Sequence, residues 1–467
     1  MKFIKYIGLV LLWGTGGLVC AQTSPGGGQE PAPLMGKRIL TFMSVIRVNQ
    51  LEVTRDRNVG KDEAEIHTVE SVSFLRDNFE KAFPGGRMTW SLSWHALHDQ
   101  RENYQAIRKL VTEYHRKYGD EITFIPGGYA AMMYNPREQV NRDLHEGLKL
   151  VSEMVGDGYR PKSVIAGFLS AENQRYLAEV EGIHVCQGMT FSQYGIDKGS
   201  GDGSFCYPYY PSREHFCKPA QGPSDFIDSV CLDGWSMDFL PGRRFGFTGG
   251  LNSRLGLGPI EVAKYNKNGD NKGVQEQLHT VAIYFDDGFK RNGFGYTTVN
   301  FEVSVGNLSD RLPELGAEMR RRWPDMQCWT LGEFGEAFRA QFKDNSKLDY
   351  RFVERGSGIG GSEPNLEIRW FMNRDFRLAL LRDWTGQPNP DFGGREKVID
   401  FTRYDLKAQE PPDTKPGEHQ PDWSLVNRIN QKQLRPQDKP VCLEKLPAED
   451  QDIIRHRLPE LFAPAGK

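Results

Sequence analysis

The sequence carries almost no net charge and lacks the repeats of fibrous proteins. Its 59 Lys and Arg residues nearly balance its 62 Asp and Glu residues, which leaves a formal net charge of -3. Without a basic field, a dedicated DNA- or RNA-binding protein is not expected. The 50 glycines and 27 prolines show no Gly-X-Y period, which excludes a collagen-like chain. A content of 38% hydrophobic and 26% charged residues is typical of a folded, soluble protein.

Long apolar runs are absent after the first twenty residues, so the sequence predicts no integral membrane span. The N-terminus has two lysines, then a short apolar run, then a Val-Cys-Ala sequence that ends at Ala21. This order predicts a secretory signal peptide over residues 1–21 and a flexible leader over 22–36. A membrane anchor and a lipoprotein attached through Cys20 are the alternatives. The mature protein is expected to be periplasmic or extracellular.

Cysteine is scarce, and signal cleavage would remove Cys20, one of the seven. Four of the other six lie between residues 186 and 231. An oxidising compartment permits disulfides there, but the spacing does not fix their pairing. Because the sequence has no Cys-x-x-Cys pair, a structural zinc cluster is not expected.

Residues 37–345 alternate short β-like runs with helical patterns, which indicates parallel βαβ units. Seven or eight such strands predict an α/β fold with a closed (β/α)7–8 barrel. No Gly-x-Gly-x-x-Gly motif follows the first strand, which disfavours a nucleotide-binding sheet. The strand-like runs are 38–46, 88–94, 122–128, 163–168, 183–186, 280–285, 296–303 and 326–330.

Two regions depart from this rhythm. Residues 188–279 are rich in Gly, Pro and aromatic residues, and they are interpreted as a long insertion on the catalytic face of the barrel. Residues 346–467 contain four strand-like runs with no long helix between them. This pattern predicts a small all-β, sandwich-like C-terminal domain with an extended tail.

The polar and aromatic residues at the C-terminal ends of the strands are the candidate site, because the active site of a parallel barrel lies there. Paired carboxylates supply the acid and the base or nucleophile of sugar hydrolysis, and aromatic faces stack on sugar rings. The expected catalytic residues are Glu172, His95, Asp287 and Glu302. The expected substrate-binding residues are Trp94, His98, Tyr129, Asn173, Gln187 and Trp235. The insertion adds the aromatic residues Phe191, Tyr194, Tyr207, Tyr209 and Tyr210.

Each catalytic candidate also has a structural interpretation. Glu172 is favourable in the first turn of a helix, where negative charge is stabilised. Asp287 lies in an Asp-Asp-Gly sequence that is typical of a turn. Glu302, in an apolar strand, is either functional or buried with a partner. His95 and His98 are acid–base groups, metal ligands or hydrogen-bonded packing groups.

A zinc site would require His95 and His98 to meet on one ion together with Asp286 or Asp287. Two residues separate the histidines after a strand, so their imidazoles are expected to point in different directions. The sequence therefore predicts no cofactor and no tightly bound transition metal.

Three segments resemble the glycoside hydrolase/deacetylase barrel superfamily: Ser170–Leu177, the short strand at Glu181–Val185 and the closing Trp329–Phe334. Nearly the whole mature chain is similar to secreted Bacteroidetes proteins of unknown function, in which a barrel joins a small C-terminal β domain. The resemblance implies the barrel, but it brings no established catalytic residues. Deacetylases of this superfamily carry an Asp-Asp pair after the first strand and a His-x-x-x-His pair later. Here the first strand ends in Met43–Arg47, and no His-x-x-x-His occurs.

These features predict a secreted carbohydrate-active hydrolase, either a glycosidase or a deacetylase-like enzyme, that acts on a glycan. Glu172 is expected to serve as nucleophile or base, Asp287 or Glu302 as the partner acid, and His95 as an orienting or acid–base residue. The alternative is a catalytically inactive glycan-binding or surface-assembly protein on the same barrel.

Overall fold

The structure is a computed structural model that describes most of the chain. The predicted signal peptide and most of the leader lie outside the described residues, as does Tyr194. No helix within the described part has the length and apolar character needed to cross a membrane. The described residues are 32–191, 199–241, 255–257, 271–303, 310–385, 396–415, 418–430 and 441–463.

Eight parallel strands organise the larger part of the chain. Five of them form one sheet, in which β1 pairs with β7 on one side and with β2 and β8 on the other, and β2 pairs with β3. The remaining three form a second sheet in the order β4-β5-β6. The strands are β1 (Arg38–Ile46), β2 (Thr89–Leu92), β3 (Glu121–Phe124), β4 (Val164–Ile165), β5 (Val185–Gln187), β6 (Val230–Leu232), β7 (Gly295–Glu302) and β8 (Gln327–Trp329).

Helices connect these strands and bury one face of each sheet. Several begin at capping residues that the sequence makes recognisable: Thr68, Ser170 and Thr330 each accept a hydrogen bond from the first turn. The helices are α1 (Val69–Ala82), α2 (Trp94–His98), α3 (Glu102–Tyr118), α4 (Arg137–Val155), α5 (Ala171–Glu179), α6 (Lys272–Ala282), α7 (Phe289–Asn292), α8 (Leu312–Arg322), α9 (Leu331–Gln341) and α10 (Ala448–Arg457).

The two parallel sheets approach each other at both edges. On one side, Thr123 Oγ1 in β3 donates to Ser163 O just before β4. On the other, Ser236 N donates to Thr298 O in β7 at 2.8 Å, four residues after β6 ends. The described strands therefore curve around a common interior without forming one continuous hydrogen-bonded ring.

The prediction of a strand at 280–285 is wrong, because this segment is helical. Helix α6 runs to Ala282, a π-helical turn covers Ile283–Gly288, and α7 follows. Ile283, Tyr284 and Phe285 are all buried. A short apolar run fits a buried helix as well as a buried strand, so periodicity did not distinguish the two.

Helix α9 closes the N-terminal ends of the strands. Glu121, the first residue of β3, is buried and accepts hydrogen bonds from Gly332 N and Ser163 Oγ, each at 2.8 Å. A Cβ at Gly332 would lie 2.9 Å from Glu121 Oε1, and a Cβ at Gly335 would lie 2.4 Å from Val185. The helix can approach this closely only because both positions are glycine.

The C-terminal strands form a single antiparallel sheet in the described residues, not the two packed sheets of a sandwich. One face packs on the large core through residues such as Trp370, and α10 covers the other face through Ile454 and Leu458. A helix therefore replaces the second sheet as the cover for the outer apolar face. The strands, in sheet order, are β9 (Asp349–Arg355), β10 (Leu366–Asn373), β11 (Phe376–Asp383), β12 (Lys397–Arg403) and β13 (Ile429–Asn430).

A buried guanidinium joins this sheet to the insertion. Arg377 in β11 is fully buried and makes two hydrogen bonds of 2.9 Å to Asp400 in β12. It also binds Asp202 Oδ1 at 3.1 Å and Ser204 O at 2.9 Å in the insertion. Every part of this network is paired, as a buried charge requires.

We expect Arg377→Met to destabilise the protein by about 3–5 kcal/mol, because it leaves two buried carboxylates without their cation. Urea unfolding followed by tryptophan fluorescence measures the change. Arg382→Met, on the same strand but 35% exposed, is the matched control and should cost at most about 1 kcal/mol. Equal losses for the two variants would contradict the role given to Arg377.

Candidate functional site

Two residues at the C-terminal ends of neighbouring strands form the centre of the candidate site. Arg47 follows β1 directly, and Glu302 is the last residue of β7, opposite Val45. Arg47 Nη2 donates to Glu302 Oε2 at 3.1 Å, and Arg47 Nε donates to Glu63 Oε2 at 2.6 Å. The Arg47 and Glu63 side chains are buried, whereas 37% of the Glu302 side chain is exposed. Glu302 is therefore the member of this network that faces solvent.

Tyr129 and Asn300 lie beside the same carboxylate. Asn300 is two residues before Glu302 in β7, so both side chains project from the same face of the strand. Burial raises the pKa of Tyr129 above its usual value; Arg47 opposes the rise and Glu302 reinforces it. The phenol is therefore a neutral hydrogen-bond donor next to an exposed carboxylate. We refer to Arg47, Glu63, Tyr129, Asn300 and Glu302 as the strand-end cluster.

His67 supports Glu63 from the buried side of the cluster. His67 is fully buried, and its Nε2 lies 3.3 Å from Glu63 Oε2. Burial alone would raise the pKa of Glu63, but hydrogen bonds with His67 and Arg47 outweigh it and lower this pKa to about 2. Glu63 is therefore ionised at neutral pH and fixes the position of the Arg47 guanidinium.

Glu52 organises the loops around the cluster. Its side chain is almost fully buried and accepts hydrogen bonds from four donors in two segments. The bonds to Val48 N and Ser93 Oγ are 2.8 Å, and those to Asn49 N and His95 N are 3.2 Å. With its lone pairs occupied, Glu52 ties the end of β1 to the start of α2 and is not available to a substrate.

Trp94, His95 and His98 lie together in α2. His95 is half-buried, and its Nε2 lies 3.2 Å from Thr54 O. His98 is exposed, with Nδ1 2.8 Å from Trp94 O. Trp94 is buried beneath the Arg55 guanidinium, 4.2 Å from the ring centroid. Besides these contacts, His98 Nε2 lies 4.0 Å from Glu146 Oε1. The roles of the three side chains in substrate binding or catalysis stay predictions.

Glu172 and Asn173 begin α5. Glu172 is exposed in the first turn, where its charge suits the helix dipole; a catalytic role stays a prediction. Asn173 is fully buried, and its Nδ2 donates to Arg137 O at 2.9 Å and to Asn141 Oδ1 at 2.7 Å. The Asn173 amide therefore holds α5 against α4, and its expected contact with substrate stays a prediction.

Gln187 is also structural. It is buried at the end of β5, where its Oε1 accepts from Gly167 N at 2.9 Å and its Nε2 donates to Gly167 O at 3.2 Å. Both ends of the amide tie β5 to the loop after β4, and the expected contact of Gln187 with substrate stays a prediction. Trp235, three residues after β6, is half-buried, and its predicted contact with substrate stays open to test.

Asp287 lies at the opposite end of the strands from the cluster. Its Oδ2 accepts from Arg291 Nε at 2.7 Å and from Val353 N at 2.8 Å. Two residues earlier, Phe285 O accepts from Arg38 Nε, and Arg38 is the first residue of β1. The structure therefore does not bring Asp287 to the strand-end cluster, because the segment that carries it is a helix at the N-terminal ends of the strands. A catalytic role for Asp287 stays a prediction.

Most of the insertion aromatics expected to contact substrate pack in the core. Of those named above, Phe191, Tyr207, Tyr209 and Tyr210 are fully buried. The six cysteines after Cys20 are free thiols in the structure. Within the described segments, no three His, Cys, Asp or Glu side chains converge on a metal position, and Asp287 is far along the fold from the two α2 histidines that were considered with it for zinc.

Two members of the strand-end cluster, Glu302 and Tyr129, are among the residues predicted from the sequence; Arg47, Glu63 and Asn300 are not. Arg47 ends the segment Met43–Arg47, which lacks the Asp-Asp pair of the deacetylases. An arginine directly after a buried strand was the available signal, because a charge at that position needs buried carboxylates nearby. Glu63 had no comparable signal, since it lies in a loop without periodicity.

The lowered pKa of Glu63 makes part of the stability depend on pH. A carboxyl whose pKa is lower in the folded state stabilises the fold above its unfolded pKa and loses this contribution as the pH falls toward the folded value. We expect the free energy of unfolding of wild type to exceed that of Glu63→Gln by about 2–3 kcal/mol at pH 7. This difference should shrink below about pH 4.5. Urea unfolding of both proteins between pH 7 and pH 3 measures it. A difference that stays constant over this range would contradict the assignment.

Comparison with known families gives two matches along the chain. Residues 32–372 match a family described as a domain of unknown function with a solved structure, DUF3863. Residues 377–461 match a second such family, DUF3864. No curated protein matches the chain.

A solved structure confirms the resemblance to the glycoside hydrolase/deacetylase superfamily. A crystal structure from Parabacteroides distasonis, provisionally described as a glycoside hydrolase/deacetylase, is 50% identical, with a TM-score of 0.86 over 92% of this chain and 100% of that one. A probable polysaccharide deacetylase from Pseudomonas aeruginosa is 13% identical, with a TM-score of 0.40 over 64% of this chain and 90% of its own. This second likeness is too distant to support an argument. On the match that spans most of its length, the chain belongs to the DUF3863 family.

Proposed function

We propose that this protein is a secreted carbohydrate-active hydrolase that acts on a glycan at the strand-end cluster. The observation that carries the proposal is the partly exposed Glu302 carboxylate, held by the buried Arg47 guanidinium at the C-terminal ends of two neighbouring strands. This is the end at which parallel α/β folds place their active sites. The provisional description of the Parabacteroides distasonis relative supports the same class of substrate.

Glu302 has the properties that hydrolysis requires of a carboxylate. Only one of its oxygens is bound by Arg47 in the described contacts, and a large part of the side chain reaches solvent. It can therefore act on a bound glycan as a base or as a nucleophile. The Arg47 guanidinium is expected to keep its position when a substrate binds, because two hydrogen bonds to Glu63 hold it.

Tyr129 and Asn300 are assigned to substrate binding. A neutral phenol and an amide, placed beside a carboxylate, match the hydroxyl and acetamido groups of sugars, which both donate and accept hydrogen bonds. Trp235 and His98 are partly or fully exposed and stay candidates for the rim of the same site. We further propose that all eight parallel strands form a closed barrel around this site.

A catalytically inactive glycan-binding protein is the second candidate. One observation favours it: Glu63, the other carboxylate on Arg47, is buried, so the described cluster presents one exposed carboxylate where glycosidases use two. Glycan turnover distinguishes the two functions, because a protein that only binds glycan has no hydrolytic activity for a Glu302 substitution to remove.

We expect Glu302→Gln to lower the hydrolysis of a cleaved glycan by at least about 100-fold, because the amide keeps the shape of the side chain and removes its charge. The measurement is release of reducing sugar or acetate from a panel of polysaccharides and oligosaccharides. Thermal melting should change little, since the Glu302 side chain is partly exposed.

The matched control is Glu138→Gln, at an 85% exposed position on α4, and it should keep full activity. Glu172→Gln tests the other carboxylate predicted from the sequence. If Glu302→Gln hydrolyses glycan like wild type and Glu172→Gln does not, the catalytic carboxylate is Glu172 in α5. Tight binding of a glycan with no turnover of any panel member would favour the binding protein.

A further inference from the structure

A second group of buried carboxylates lies away from the strand-end cluster. Asp238 ends the two-residue strand Met237–Asp238, and Glu276 lies in α6. Both residues are fully buried, and their carboxyl groups lie within hydrogen-bonding range of each other. Two adjacent negative charges without water are strongly unfavourable unless something neutralises them.

The oxygens of this group lack donors. Asp238 Oδ1 accepts from Leu240 N at 3.1 Å, but Asp238 Oδ2 and both carboxylate oxygens of Glu276 have no hydrogen bond of acceptable geometry. Buried carboxylates normally accept several such bonds. Three of the four carboxylate oxygens of this pair therefore accept no hydrogen bond.

Thr280 gives an independent indication of a ligand at this position. It lies one turn after Glu276 on α6, is fully buried, and its hydroxyl faces the Glu276 carboxylate without making a hydrogen bond of acceptable geometry. The Ser357 hydroxyl, two residues after β9, also lies close to Glu276. Oxygens from the strand Met237–Asp238, from α6 and from the segment after β9 thus lie near the Glu276 carboxylate.

The described segments supply no cation that neutralises the pair. Neither Asp238 nor Glu276 forms an ion pair with any Lys or Arg of the described segments. Glu354 adds another carboxylate nearby, since its Oε1 accepts from Phe239 N, next to Asp238, at 3.2 Å. Among the described residues, the pair therefore has no positive partner.

We propose that Asp238, Glu276 and Thr280 bind a Ca²⁺ ion that fastens α6 to the strand Met237–Asp238. All the donors are oxygens, which selects a hard cation. Carboxylate and hydroxyl ligands on irregularly spaced elements suit Ca²⁺, which accepts flexible geometry, better than Mg²⁺, which demands a near-ideal octahedron. The site lies outside the strand-end cluster, so it does not depend on the proposed hydrolysis.

A shared proton is the competing explanation. Burial and the neighbouring Asp238 raise the pKa of Glu276, so the pair would retain a proton if no cation were bound. The two explanations differ in their response to calcium, because only the cation site gains stability from added CaCl2.

The test uses the full mature chain. Elemental analysis of protein dialysed against buffer that contains trace CaCl2 should find about one calcium per chain. Thermal melting in about 1 mM CaCl2 should exceed melting after prolonged EGTA treatment by about 2–4 °C. The same concentration of MgCl2 should give a smaller shift.

Variants assign the site. Glu276→Gln should abolish both the bound calcium and the calcium-dependent shift, and Thr280→Val should reduce the shift if the first variant folds poorly. Glu318→Gln, on the exposed face of α8, is the matched control and should respond like wild type. No bound calcium with equal melting in CaCl2 and EGTA would overturn the proposal, as would a Glu276→Gln variant that still responds or a shift produced by MgCl2 alone.

Discussion

The fully buried ion network of Arg377 is the interaction on which the arrangement of the molecule depends. Asp400 belongs to the C-terminal sheet and Asp202 to the insertion, and one guanidinium neutralises both. Because charges at this depth tolerate little displacement, the network fixes the sheet and the insertion relative to each other. Segment 418–425 reinforces this attachment, since Trp423 N donates to Ser200 O at 2.9 Å and Leu425 N to Asp202 O at 2.7 Å. The insertion is thus part of the core, which explains why its aromatic residues are buried.

The two ends of the parallel strands have different roles. At the N-terminal ends, Glu121 caps α9 and glycines let that helix pack closely, so this end contributes stability. At the C-terminal ends, Arg47 and Glu63 form a buried support that leaves Glu302 in contact with solvent. A rigid support beneath one accessible carboxylate is the arrangement expected of a reactive group that must be held in place.

The sequence was sufficient to predict most of the described parallel strands. Strand β1 has the predicted bounds 38–46, because a continuous apolar run is a local signal. The segment 280–285 was misassigned because burial of both sides of a helix removes its periodicity. Asn173 and Gln187 look like site residues in sequence because they follow strands, but only their partners show that their amides are already used. Glu63 could not be found at all, since its role depends on a contact with Arg47 across a loop.

The central claim is that glycans bind at the strand-end cluster. A crystal structure of the protein with an oligosaccharide from an active or tightly bound panel member tests it most directly. The account predicts sugar density against Glu302, with hydrogen bonds to Tyr129 or Asn300. Sugar bound instead in the cavity of about 280 Å³ at the N-terminal ends of the strands, between Arg87 and Trp329, would contradict it.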